Sequence, residues 1–179
     1  MANMSEIISS GAALVVVDMQ VGTLANARSQ PADRLIVEVG RAINDFREAG
    51  RPVVFAISTG TPPGITQYGS QGRTWPSTDT ELVDGIQAQE DELIIHRAAW
   101  SAFANTELHE HLTAAAVTQV VIVGIATTFG VESTARSAAD LGYDVVVLDE
   151  AFSDPDPAGH DRTLTRVIPA LGRVLSLGG

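Results

Sequence analysis

The chain contains no cysteine and no lysine; all eleven of its basic residues are arginines. Without cysteine there is no disulfide, no thiol nucleophile and no thioester intermediate. Without lysine, no ammonium side chain is available to the chemistry. Long apolar runs are also missing: none approaches the ~20 residues needed to cross a bilayer as a helix. Positive charge is scarce, with 22 acidic residues giving a formal net charge of −11. A polyanion is repelled by such a surface on average, so non-specific nucleic-acid binding is excluded as a general property. Residues 1–6, Met-Ala-Asn-Met-Ser-Glu, lack the basic start and apolar core of a signal peptide. The cytoplasm is therefore the expected compartment, with neither a membrane nor a nucleic acid as partner.

What is present reads as one globular domain spanning residues 1–179, with 45% hydrophobic and 18% charged residues. Residues 12–18, Ala-Ala-Leu-Val-Val-Val-Asp, form an apolar run ending in a charge, the signature of a strand buried on both faces. Leu35, Ile36, Val39, Ile43 and Phe46 follow at helical spacing, predicting a helix over 31–49 with Ser29 as its cap and Gly50 as its stop. Further buried strands are predicted over 52–57, 92–95, 120–123 and 143–148. Helices are predicted after Thr106, over 129–141 (closed by Gly142) and over 157–171. Residues 59–80 are dense in Gly, Pro, Ser and Thr, and read as a long loop of the kind that usually serves function. Leu177 to Gly179 is expected to fray. Alternating strands and helices predict an α/β doubly wound, mostly parallel sheet flanked by helices. In such sheets the ligand site lies beyond the carboxyl ends of the strands.

Three positions converge on that edge. Asp18 ends the first strand, where low dielectric raises a carboxyl's pKa and suits it to acid or base work. The same position also suits a turn residue that satisfies local N–H groups. Arg97 follows the third strand, where a guanidinium can grip a carboxylate with both nitrogens, either that of Asp18 or that of an anionic ligand. The competing reading is an exposed arginine beside an exposed histidine. Gly130 opens a helix after a turn of small residues, where backbone N–H groups can bind an anion or oxyanion. It equally suits close packing of helix on strand. Thr127 and Thr128 are placed to cap that helix. Trp75, Trp100, Phe103, Phe129 and Tyr68 lie in or near the site loops and suit an apolar pocket for a ring. His109 and His111 point in different directions on a helix, and His96 and His160 lack spaced partners, so no metal and no cofactor are expected.

Together these segments resemble the isochorismatase-like hydrolase superfamily, which includes nicotinamidases and N-carbamoylsarcosine amidases. The resemblance is carried by Leu14-Val-Val-Val-Asp-Met-Gln20, by Arg97 through Phe103, by Gly124-Ile-Ala-Thr127, by Gly130 through Arg136 and by Gly142-Tyr-Asp-Val145. It implies six parallel strands, a site at their carboxyl edge, a homodimer or homotetramer, and a non-proline cis peptide at Ile125-Ala126. The Asp, Lys and Cys used by amide-hydrolysing members match Asp18, Arg97 and Gly130. Gln20, Trp75, Trp100, Phe103, Ala126, Thr127 and Phe129 are the candidate substrate contacts.

Members resembling true isochorismatases also carry glycine at the nucleophile position and cleave a vinyl ether without a covalent intermediate. On that pattern Asp18 would protonate the enolpyruvyl carbon, water would trap the oxocarbenium ion, and pyruvate would leave. Two departures stand out. Residues 126–129 read Ala-Thr-Thr-Phe where those members have a Tyr-Ala-His type sequence, and Arg97 replaces the lysine. The expectation is a hydrolase acting on a small carboxylated, cyclic substrate, with Arg97 as the carboxylate anchor. Its rival is a catalytically silent binding or scaffold protein.

Overall fold

The computed structural model describes residues 7–176, so the expectation for Leu177 to Gly179 falls outside the described residues. Strand β1 (Ala12–Val17) organises the fold, and all six of its residues are buried. Ala12, Leu14 and Val16 enter one core while Ala13, Val15 and Val17 enter the other. That division is what a two-residue period produces when helices cover both faces of a sheet.

A short α1 (Val21–Leu24) and the long α2 (Ala32–Glu48) lead to β2 (Val53–Ser58). A small hairpin, β3 (Ile65–Thr66) and β4 (Gly69–Ser70), and a single turn α3 (Ser77–Thr80) lie in the next loop. Then come β5 (Leu93–Arg97), α4 (Leu108–Ala114) and β6 (Gln119–Ile125). A wide π turn (Thr127–Val131) runs into α5 (Glu132–Asp140), followed by β7 (Asp144–Ser153). The C-terminal helical stretch is α6 (Pro157–Arg162), a π turn (Thr163–Val167) and α7 (Ile168–Leu171), and β8 (Gly172–Leu175) ends the sheet. The six-stranded sheet has the order β5-β2-β1-β6-β7-β8, and every pairing in it is parallel.

Helix α2 buries Leu35, Val39, Ala42, Ile43 and Phe46 against one face. The second core takes Val131, Ala135 and Ala138 from the π turn and α5. Each large apolar side chain withdrawn this way contributes about 1.5–3 kcal/mol relative to exposure. No helix of the described residues is long and apolar enough to cross a membrane.

Several boundaries move for physical reasons. Ser29 does not cap α2: Pro31 precedes the helix without a side-chain cap, and the Ser29 hydroxyl accepts from the Asp154 N–H at 2.9 Å. Strand β7 runs five residues past Leu148, through Asp149 and Glu150, because a register shift opposite Ile122–Gly124 lets the charged pair turn outward. The sixth strand, β8, is a half-exposed edge with little apolar pattern; it was expected from the family resemblance rather than read from its residues. Gly50 and Gly142 do end α2 and α5, both at positive φ.

Candidate active site

The chain moves outward from β1 through β2 to β5, then returns to β6 on the other side of β1. The strand order therefore reverses between β1 and β6, and a crevice opens at the carboxyl ends there. Register brings the ends level: Val17 lies beside Ala56 and Gly124, and Ser58 beside Arg97. The approach at Gly124 is so close that a Cβ would overlap the Val17 carbonyl, and its φ of +126° is open only to glycine.

Asp18 sits at φ +50°, a left-handed conformation that costs a non-glycine residue on the order of 1 kcal/mol. Its backbone is held on both sides: its N–H donates to the Ala56 carbonyl at 2.9 Å, and its own carbonyl accepts from the Gln20 N–H and the Thr23 hydroxyl. The strained turn aims the carboxylate at Arg97. Arg97 Nη1 donates to Oδ1 at 2.7 Å and Nη2 donates to Oδ2 at 3.0 Å, with side-chain exposures of 1% and 10% for the arginine and the aspartate. Arg97 Nη2 also donates to the Trp100 carbonyl at 3.2 Å. Its Nε is buried with no hydrogen-bond partner among the described residues. Burial pushes the Asp18 carboxyl above its ordinary value; the Arg97 charge and hydrogen bonds, with the Ser58 N–H, offset this only in part.

Asp18, with Arg97 behind it, forms the floor of a cavity of about 400 Å³, within the usual range of small-molecule sites. Trp75, Trp100, Ala126, Phe129 and Gly130 form much of its wall. Trp100 and Phe129 lie with ring centroids 5.1 Å apart. A Cβ on Gly130 would stand 3.0 Å from Asp18 Oδ2 and 3.3 Å from Arg97 Nη2. The absent side chain thus leaves the Asp18 carboxylate open to the cavity. The peptide Ile125–Ala126 is cis, as the resemblance implied.

The structure places five other candidates as follows. The Arg97 guanidinium is turned onto Asp18 and is not part of the cavity lining, so it does not present itself to an anionic ligand. Phe103 is outside the cavity; its ring stacks on Tyr143 at 5.8 Å in the second core. Thr127 is fully buried behind the wall, bonded to the Ser153 carbonyl and to His160 Nδ1 at 2.8 Å. Neither Thr127 nor Thr128 caps the helix: Thr128 gives its hydroxyl and its N–H to the buried Asp154 carboxylate. Tyr68 stands 91% exposed beside the hairpin tip, away from the cavity.

Gln20 reaches the cavity wall, but its amide is clipped to the Ser58 backbone at both ends, at 2.9 and 2.8 Å, which positions β2 against β1. Sequence reasoning missed Thr23, Asn26, Ser58 and Asp79, all cavity-lining. Ser58 was within reach of the strand-end rule, since it closes β2. The other three arrive from short turns that carry no pattern. Among the described residues, no group of three or more His, Asp or Glu side chains is placed to hold a metal ion.

The Isochorismatase domain model matches residues 12–178. The chain belongs to the isochorismatase family. It is 30% identical to the isochorismatase family protein YecD of Escherichia coli O157:H7, over 97% of this chain and 96% of that protein. It is 32% identical to Nicotinamidase 3 of Arabidopsis thaliana, over 86% of this chain and 78% of the plant protein. An isochorismatase family protein of Burkholderia thailandensis superposes with a TM-score of 0.88 at 26% identity, covering 95% of this chain and 93% of that one. This isochorismatase-family hydrolase therefore shares its six-stranded parallel sheet with solved relatives, and its crevice lies where that topology puts one.

Proposed function

We propose that the protein hydrolyses a small ring-bearing substrate without a covalent intermediate, using Asp18 to transfer the proton. The observation that carries this reading is the strained, buried Asp18, held by both nitrogens of Arg97 at the floor of a cavity with aromatic walls. Strain of this kind is retained when the position matters more than local comfort. Arg97 keeps its charge at any ordinary pH, so the proton that moves is that of Asp18. Arg97 acts as its positioning partner.

Vinyl-ether cleavage is the most concrete version. Asp18 donates its proton to the methylene carbon, the resulting oxocarbenium ion is captured by water, and a water proton returns to Asp18 as the hemiketal collapses to ketone and alcohol. The aromatic faces and the newly formed carboxylate are suited to the positive charge that develops. The carboxylated substrate anticipated from the family is less well supported, because none of the described residues lining the cavity is Lys, Arg or His. Amide hydrolysis, the activity named for the plant relative, fits less well, since the chain lacks cysteine. A catalytically silent binding protein remains the second reading; it is favoured by the commitment of both Asp18 oxygens to Arg97.

The deciding experiment follows ketone release from isochorismate and from uncharged aryl enol ethers, for wild type and Asp18→Asn. Release by wild type that falls at least a hundredfold in the variant supports the mechanism, as loss of a general acid typically costs about 10²–10⁴ in rate. Equal release by both proteins removes Asp18 from the chemistry. No release from any substrate, with retained binding of a ring ligand, selects the silent reading.

A further inference from the structure

The cavity lining holds acidic and aromatic residues and, among the described residues, no Lys, Arg or His. Two acidic residues line the cavity, Asp18 and Asp79, and among the described residues only the first has a countercharge. The Asp79 carboxylate makes no hydrogen bond or ion pair with any described residue. Three aromatic rings complete the wall. Trp75 is fixed by its indole N–H, which donates to the Ser58 hydroxyl at 3.2 Å. Trp100 and Phe129 tilt 35° to each other and are each about half exposed at the mouth, 47% and 49%. Ring faces carry negative potential and attract cations, most strongly large cations with loosely held water. The chain's formal charge of −11 adds a field of the same sign around the opening. A hard metal cation is a poor match, since it requires several converging oxygen ligands and no such cluster occurs among the described residues.

Building on the reading of this cavity as the substrate site, we infer that the substrate carries a positive charge, a protonated amine or alkylammonium group, held against Trp75, Trp100 and Phe129 with Asp79 as its counter-ion. The charge of the substrate is then met by a carboxylate other than the Asp18 that the proposed proton transfer uses.

The test is isothermal titration of three probes of similar size and different charge: benzyltrimethylammonium, benzyl alcohol and benzoate. Wild type is expected to bind the ammonium roughly tenfold more tightly than the alcohol, with benzoate weakest. Asp79→Asn should weaken the ammonium several-fold and leave the alcohol unchanged. Phe129→Leu, a change at a half-exposed ring, should also weaken the ammonium selectively. Equal or tighter binding of benzoate or benzyl alcohol overturns the inference. So does an ammonium affinity untouched by Asp79→Asn, or the absence of ammonium binding at millimolar concentration. These measurements need no turnover. Ammonium selectivity in a protein that hydrolyses nothing upholds this inference and removes only the hydrolase reading. Faster hydrolysis of uncharged enol ethers than of ammonium-bearing ones removes only this inference.

Discussion

A double-mutant cycle on Asp18 and Arg97 tests the centre of the site. The two side chains are 10% and 1% exposed and joined by two hydrogen bonds of 2.7 and 3.0 Å. Unit charges ~4 Å apart attract by ~4 kcal/mol at an effective dielectric near 20. Removing one member of such a pair costs about 3–5 kcal/mol, because the other is left buried and uncompensated. The two single variants should differ. Asp18→Asn strands a guanidinium that cannot lose its charge, and is expected near the upper end. Arg97→Met strands a carboxyl that can take up a proton, and is expected near the lower end.

The double variant should be destabilised by at least ~2 kcal/mol less than the sum of the singles. Urea unfolding at neutral pH measures all four proteins, with unchanged m-values as the check that two-state unfolding persists. The pH dependence supplies a second sign. Burial raises the Asp18 pKa in the folded protein, so its contribution to stability is fully present below the unfolded value of about 3.8. It is lost as pH rises through the raised folded value. Arg97→Met removes the charge that opposes this shift, so its stability should fall more steeply than wild type as pH rises from about 4 to 7. Single variants that add to within ~0.5 kcal/mol would refute the buried, mutually dependent pair.

Two further expectations are independent of the chemistry. Gly124→Ala should unfold the protein or lower its thermal midpoint by well over 10 °C by calorimetry, because the new Cβ would overlap the Val17 carbonyl at a positive φ; a steric cost of several kcal/mol corresponds to roughly that shift. Asp154→Asn should cost about 1–3 kcal/mol in urea unfolding. Its carboxylate is buried and accepts from the Thr128 N–H and hydroxyl and from the Asp156 N–H, and an amide cannot serve all three donors.

The parallel sheet was legible wherever both faces of a strand are buried. The Ala12–Val17 and Val120–Val123 runs are apolar at every position because helices cover them on each side. The reading weakened at the margins for the same reason. Half-exposed β8 and the charged stretch of β7 have no continuous apolar run, since one face or an end of each meets solvent. At the site, the strand-end rule pointed to Asp18 and Arg97 and the small-residue turn to Gly130, and the structure brings the three together. Neither signal could find Asp79 or Asn26, whose turns have no period and reach the cavity only through the folded path of the chain.

The sequence by itself determined which chemistry is absent. With no cysteine and no lysine, no thiol or ammonium side chain is available to the site. It also indicated a doubly wound, mostly parallel sheet, because buried strands alternating with amphipathic helices have few right-handed solutions. Only the tertiary structure decided where the charges point. Arg97 and Asp18 are 79 positions apart, and no pattern in the chain says whether a guanidinium at a strand end faces a ligand or a neighbouring carboxylate. Strand register and the left-handed turn at Asp18 direct it to the carboxylate, leaving a cavity lined by acid and aromatic rings.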